Sequence, residues 1–550
     1  MSATAATLPA RPRRLEAALR PLGLDAVEAG ALVALCALSL VVLAGLLIKG
    51  RPLSGADGLL ASDQLQYFAW IRDSAHHVLI GDRFDLAPGS RSFLHPGFLL
   101  SGLLVRGSGI SIPLSYLLWK PAAIAVTFVG CRAYVRRLLP AGRQRHIGLV
   151  LALFAVMPAA AVVAWAGWGG KPRQFTFDFI AGEMWSGQYL WGYLMTALGV
   201  FLMPLVLLAV ESWRRDRRPP TLAWAAAGAL LICWLQPWQG GTLALIVIAV
   251  EAWRMARTRE RPPLALAIVP AAAAVPALYY LALSRFDPVW TVAGKANAAG
   301  AQLHWSWPWW AIALSVLPLA APAALAYRLP APSWQEQAVR IWPLAALAVY
   351  LQPTGTFPYH AFQGLALPLS VLAVQGLARY WRRPRPALVL GALAVMTLPG
   401  IAHRIQVAYN SVHTAGDPFW VFPDEVRALK WLARDPRPGG VLSAPYGGFM
   451  IPYRTGRETY VGPISWSPHY QQRAGAANDL IEGRLTGPAA LTFVRATHAR
   501  YVFEDCRPHL ARLDATLAPL TAAVQRFGCA TVWVLRERPD MARAAGLPDA

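Results

Sequence analysis

The chain has 550 residues, of which 56% are hydrophobic and only 15% charged, with 51 Lys and Arg set against 29 Asp and Glu. So apolar a balance excludes an ordinary soluble domain and places the chain among polytopic membrane proteins. The net charge of +22 does not point to nucleic acid, because the arginines lie in short clusters between apolar stretches, as cytoplasmic loops do under the positive-inside rule.

In chain order, Arg11, Arg13, Arg14 and Arg20 precede an apolar run over 27–49. The run is long for a signal-peptide core and ends in Ile-Lys-Gly-Arg-Pro without a small-residue cleavage site, so it reads as an uncleaved first span. A polar loop follows, holding Asp63, Asp73, Asp82 and Asp85 with His76, His77 and His95. It is too long and too patterned for a simple turn, and acids held at a membrane surface suggest chemistry done there. The apolar stretch 97–105 is too short to cross, since a hydrocarbon core about 30 Å thick needs about 20 residues per helix.

Further spans are expected at 112–131, 147–165, 189–210, 222–236, 239–253, 262–284, 307–327, 341–352, 360–379 and 387–402, eleven in all with the first. Basic clusters at 132–146, 214–218, 254–261, 328–340 and 382–385 fall on one side of that count, the cytoplasmic one. The reading is a polytopic α-helical membrane protein with three parts. Residues 1–26 are a cytoplasmic segment, 27–402 a transmembrane domain with a long first outer loop over 50–111, and 403–550 an extracytoplasmic α/β domain. The compositional guess for the setting is the inner membrane of a GC-rich bacterium. No internal repeat supports an inverted-repeat transporter.

The tail has soluble composition. A Pro-initiated amphipathic helix is expected at 423–435, strands at 440–445, 459–462, 499–505 and 530–536, and helices at 468–483 and 487–496. Cys36, Cys131 and Cys233 lie in spans and read as packing residues. Cys506 follows one expected strand and Cys529 precedes another; if those strands are antiparallel neighbours, the two sulfurs meet, and a disulfide would persist outside the cell. The alternative is a pair of buried thiols.

Asp63 and Tyr67 are one helical turn apart in Ser-Asp-Gln-Leu-Gln-Tyr and share a face. Ser62 is expected to cap that helix, and Leu65, Phe68, Ala69, Trp70 and Ile71 to lay it on the membrane boundary. Lys120 falls inside the second span, where a charge is functional or snorkels to an interface. Trp238 and Gln239 stand at an outer helix end, where Trp is commonly an interfacial anchor, though it can stack on a sugar. Asp82 and Asp85 form Asp-x-x-Asp, a weak metal signal. No metal or cofactor is expected. His95-Pro96 reads as a structural turn.

A cytoplasmic N-terminus, one span, and an outer loop bearing Asp63-Gln64-Leu65-Gln66-Tyr67 resemble the GT-C superfamily of membrane glycosyltransferases, many of which carry Asp-Glu-x-x-Tyr there. Gln64 stands where those relatives have Glu. The order of Trp-Leu-Ala-Arg-Asp, Val-Leu-Ser-Ala-Pro and Arg-Tyr-Val-Phe-Glu-Asp-Cys in the tail is similar to the outer domain of several bacterial members. The resemblance implies transfer of a sugar from a polyprenyl-phosphate donor to an acceptor hydroxyl, on a glycan, lipid or protein, with inversion. It makes Asp63 the general base and Gln64 and Tyr67 neighbours of the substrate. The leaving phosphate needs cations, for which Lys120 is the first candidate; Lys171 and Arg173, with Glu183 further along, read as solvated surface. His360 and Gln363 stand where relatives carry an Arg-Tyr-x-x-Pro-like pattern. With Trp238, Gln239 and Asp85 they complete the substrate-binding candidates, while Asp73, Asp82 and Asp85 are given structural or acceptor-side roles. Rival classes are a lipid or solute transporter or flippase, and a noncatalytic scaffold on a degenerate GT-C fold.

Overall fold

The computed structural model describes residues 23–48, 53–87, 89–259, 261–305, 309–352, 358–381, 383–413, 418–508 and 513–537. The N-terminal arginines and the turn 353–357 lie outside the described residues.

The fold is mostly helical. Among the described residues, five helices are long and apolar enough to cross a membrane alone: Ile112–Leu138, Leu194–Asp216, Leu264–Phe286, Trp309–Ala326 and Pro386–Val412. Two bent pairs, Ala26–Ser39 with Val41–Ile48 and Arg143–Phe154 with Pro158–Trp165, raise the number to seven. The other expected spans also fall on helices, namely Pro219–Leu235, Pro237–Thr258, Trp334–Leu351 and Ala366–Tyr380. Length and apolarity by themselves therefore support five to seven crossings, short of the expected eleven.

Between the bent pair ending at Ile48 and the helix Ile112–Leu138 lies the layer formed by the first loop. It holds the helix Ala61–Ser74, which carries Asp63, and the helix Pro96–Ser108. His95 accepts from the Phe98 N–H through Nδ1 at 3.3 Å and caps the second of them, as a turn residue should. Leu100, Leu103 and Leu104 are exposed, which suits a helix lying at the membrane surface.

The helix Ala61–Ser74 does not lie on that surface. Leu65, Phe68 and Ile71 are fully enclosed by protein and Trp70 is buried. Phe68 meets Tyr453 and Trp70 meets Trp466, both from the tail, with ring centroids 5.6 and 5.1 Å apart. Its apolar face is thus covered by the tail rather than by lipid. The start also differs from expectation: the N-cap is Leu60, with no side-chain cap, and Ser62 lies inside the first turn. The Gln64 carboxamide instead ties the preceding loop to the helix, accepting the Asp57 N–H at 2.8 Å and the Gly58 N–H.

The tail carries one four-stranded sheet in the order β1-β2-β4-β3, with β1 at Val441–Ser443, β2 at Tyr501–Glu504, β3 at Thr521–Phe527 and β4 at Ala530–Leu535. β1 and β2 are parallel, which requires the long helical crossover through Pro445–Thr455, Tyr470–Ile481 and Gly487–Thr497. β2 and β4 are antiparallel, pairing Tyr501 with Val534 and Phe503 with Val532. That register brings Cys506 and Cys529 together, and they are disulfide-bonded. The expected strand at 459–462 is reduced to a single parallel bridge between Thr459 and Val441, while β3 and the helix Pro445–Thr455 were not expected.

Candidate functional site

Asp63 sits in the first turn of its helix, where the helix dipole favours a carboxylate. Tyr193, the residue just before the helix Leu194–Asp216, donates its hydroxyl to Asp63 Oδ2 at 2.8 Å. Burial first, then the Asp63 charge, holds the Tyr193 phenol well above its ordinary pKa. The same two causes in the same order hold Tyr67 protonated. Tyr67 does lie near Asp63, as one-turn spacing requires, and its ring stacks on Phe98 at 5.3 Å. Asp63 is thus set among neutral hydroxyls that can donate to it or exchange a proton with what it binds.

Beside it stands a second group, built on the helix Gly170–Met184 and the turn Pro358–Phe362. The two groups are linked through the segment between them: the Tyr193 N–H donates to the Tyr189 carbonyl at 3.0 Å, and the Tyr189 hydroxyl donates to the Glu183 carbonyl. Glu183 is buried and lies 3.1 Å from His360 Nδ1. Gln363 Nε2 is also 3.1 Å from that nitrogen. One proton decides between these contacts: Nδ1–H donates to Glu183, whereas a bare Nδ1 accepts from Gln363. Gln236 Nε2 in turn donates to Gln363 Oε1. Gln239 Nε2 donates to the His360 carbonyl at 2.9 Å, and the Trp238 ring stands edge-on to the imidazole at 4.9 Å. Four of the sequence candidates, Trp238, Gln239, His360 and Gln363, are therefore one cluster.

The third group comes from the helix Pro386–His413. His403 Nε2 contacts Asp178 Oδ1, and Arg404 reaches the Asp178 carbonyl at 3.2 Å and the Gln188 side chain. Arg404 is 3% exposed, close enough to Asp178, Tyr193 and Glu183 to interact with each electrostatically, and its Nε has no hydrogen-bond partner. Arg404 is thus a buried guanidinium with an unused donor beside two acids. Tyr193, Gln236, Asp178, His403 and Arg404 were all missed. For the last pair a signal existed: adjacent His and Arg directly follow an apolar span, a costly placement near a membrane. Ending that span at 402 assigned them to the tail.

Lys120 is a correction. Its ammonium is 4% exposed and pairs with Asp57 Oδ2 at 2.6 Å, and it donates to the carbonyls of Ser39 at 3.0 Å and Leu190 at 2.9 Å. An ammonium has three donors, and all three are engaged in holding the first span, the loop start and the 186–190 turn together. Gln64 is likewise 1% exposed, with its Nε2 donating to Asp57 Oδ1 at 2.8 Å. Asp85 binds Arg473 of the tail at 2.8 Å, far along the loop from Asp63. Asp73 accepts from Gly81 N–H at 2.8 Å and from Arg83 at 2.9 Å. Burial would raise the Asp73 pKa, but these contacts outweigh it and hold the carboxyl below its ordinary value. Arg173 rests over Trp168 at 4.4 Å, and Lys171 is exposed.

The chain resembles several solved structures over most of its length. One is the archaeal oligosaccharyltransferase AglB from Archaeoglobus fulgidus in complex with an inhibitory peptide and a dolichol-phosphate, 14% identical, TM-score 0.44, covering 86% of this chain and 69% of that one. Another is ArnT from Cupriavidus metallidurans bound to undecaprenyl phosphate, 13% identical, TM-score 0.44, covering 92% and 98%. The apo state of the same ArnT gives 11% identity and a TM-score of 0.42 over 95% and 99%. At such identities no residue correspondence is drawn. No family model and no curated protein matches the chain.

Proposed function

We propose that this protein transfers a sugar from a polyprenyl-phosphate donor to an acceptor hydroxyl at the outer face of the membrane, in assembly of a cell-envelope glycan or glycolipid, with inversion at the anomeric carbon. The observation that carries this reading is the convergence of Asp63, held by Tyr193, with the Glu183–His360 pair and the buried Arg404. Asp63 takes the proton of the acceptor hydroxyl as its oxygen attacks the sugar carbon. The bond from that carbon to the donor phosphate oxygen breaks, and the electron pair leaves with the phosphate. Arg404, through its unused Nε, stabilises the charge that collects there. Gln239, Trp238 and His360 line the sugar side; a flat indole and amide groups suit a polyhydroxyl ring.

The test is transfer measured on purified protein with a lipid-phosphate-linked sugar. Asp63→Asn keeps the shape and removes the base, and is expected to lower turnover by about 10²- to 10⁴-fold with unchanged expression. Arg404→Lys, which keeps the buried charge but loses the planar fork of donors, is expected to lower turnover with a smaller loss of thermal stability than Arg404→Gln, which leaves the Asp178 carbonyl and Gln188 short of a donor. Product formation by Asp63→Asn at the wild-type rate excludes Asp63 as base. Absence of any product from the wild type, with lipid carried across the bilayer instead, favours a flippase.

A further inference from the structure

A second buried acidic recess lies about two helical turns along from Asp63, on the far side of Trp70. Its walls come from three parts of the chain: Asp82 and Ser92 from the first loop, Asp287 and Trp290 from the residues after the helix Leu264–Phe286, and Trp466 from the tail. Asp82 and Asp287 are each 7% exposed. Asp287 is well supplied with donors, accepting from the N–H groups of Val289 at 2.9 Å and Trp290 at 3.1 Å and from the Ser92 hydroxyl. Asp82 is not. Its Oδ1 accepts the Phe84 N–H at 3.0 Å, and its Oδ2 has no partner.

Among the described residues neither carboxylate forms an ion pair. The loop does contain cations, but Arg83 and Arg91 are both turned to Asp73, at 2.9 and 3.3 Å. Two carboxylates enclosed without a cation are costly. Burial, with Asp85 and Asp287 adding to it, pushes Asp82 up to about 7. The rest of the wall is aromatic: Trp466 meets Trp70 and Trp290 edge-on, each at 5.1 Å between centroids. The recess has room for one water-sized group.

We infer that this recess binds a primary ammonium group, with Asp82 Oδ2 and Asp287 as its acceptors and the Trp70, Trp290 and Trp466 rings around it. An –NH₃⁺ is the size of a water, has three donors for carboxylate and hydroxyl oxygens, and is attracted to indole faces. A divalent metal fits poorly, since it requires about six oxygen ligands or several retained waters, and indole walls supply neither. Such an amine has two sources, a lipid headgroup or an amino group on a sugar, and the chemistry at the recess is the same for both. Because Trp466 belongs to the tail, occupancy also ties the tail to the loop. The proposal does not depend on the transfer reaction.

The full-length protein in nanodiscs made without amine lipids is unfolded thermally against rising ethanolamine, glucosamine, tetramethylammonium or MgCl₂, at ionic strength matched with NaCl. The midpoint is expected to rise with the primary amines and not with tetramethylammonium or Mg²⁺. A rise with glucosamine alone assigns the amine to a sugar, and a rise with ethanolamine alone to a lipid headgroup. Asp82→Asn removes a buried charge, so it is expected to fold at least as stably as wild type and to lose the amine response. Trp466→Leu, which leaves both carboxylates in place, is expected to weaken that response. The inference is overturned by no response to either amine, by an equal response to Mg²⁺ or tetramethylammonium, or by an undiminished response in Asp82→Asn.

Discussion

Gln64 is the residue at which a family pattern and a local environment conflict. Its amide is bipolar: the oxygen collects two backbone N–H groups at the loop start, and the nitrogen donates to Asp57, itself paired to Lys120. A glutamate there keeps the acceptor and turns the donor into a second carboxylate facing Asp57 in a dry pocket. Gln64→Glu is therefore expected to destabilise the protein by about 2–4 kcal/mol, read as a lower thermal midpoint. The glutamine is thus accounted for by Asp57 and the loop N–H groups it binds. Asp82 gives a second prediction at the same scale. The folded chain holds the Asp82 proton up to about pH 7, against 3.8 for the ordinary carboxyl. Between those values the folded state binds a proton that the unfolded chain has released, so stability falls as pH rises through the interval and levels off above it. The loss is at most about 4 kcal/mol, at 1.36 kcal/mol per unit. Urea unfolding between about pH 5 and 8 should show the slope in wild type and a flatter profile in Asp82→Asn.

Legibility at the scale of elements followed the strength of local periodicity. The amphipathic helix at 423–434 and the buried strand β4 were readable because their patterns are unambiguous. The helix Gly170–Met184, which carries Asp178 and Glu183 to the site, was not. It opens on glycines, and its Phe-Thr-Phe-Asp-Phe core alternates with period two, the signature of a strand or loop rather than a helix. β3 is half-exposed along most of its length and poor in β-branched residues, so its pairing with β4 decides it. The helix Pro445–Thr455 contains two glycines and two internal or initial prolines, composition that argues for a turn. It forms because Gly448 lets the helix backbone press against the Val461 carbonyl; an added Cβ would fall well inside contact distance of that oxygen. Gly448→Ala is accordingly expected to disrupt the packing between this helix and the 459–462 segment. Limited proteolysis should cut the tail of that variant under conditions in which wild type resists, and equal resistance would mean that the backbone can move aside.

For the whole molecule, the contacts between loop and tail bear on a parity that apolarity alone leaves open. The Ser54 N–H donates to the Phe419 carbonyl at 2.9 Å, and Tyr453 and Arg454 both reach the Ser54 carbonyl. Asp85 pairs with Arg473, and Arg83 with Glu458. The segment after the first span and the segment after the last helix are therefore on one side of the bundle, which requires an even number of crossings between them. At the other end, Arg132 and Arg136 close on the buried Glu28 of the first span at 3.1 and 2.6 Å, and Arg137 pairs with Glu211. Basic loops cluster at that end, which the positive-inside rule assigns to the cytoplasm. Ten crossings between loop and tail satisfy both conditions, and the disulfide between Cys506 and Cys529 suits an oxidising side. The arrangement is tested with an impermeant maleimide on right-side-out membrane vesicles. A cysteine at exposed Arg427, in Arg427→Cys, is expected to react in sealed vesicles, and one at exposed Arg218, in Arg218→Cys, only after they are opened. The reverse pattern would put loop, tail and Asp63 in the cytoplasm, where the transfer proposed above would have to use a donor on the inner leaflet. Labelling of both cysteines in sealed vesicles would put Arg218 and Arg427 on one side and so require an even number of crossings between them, against the seven expected there.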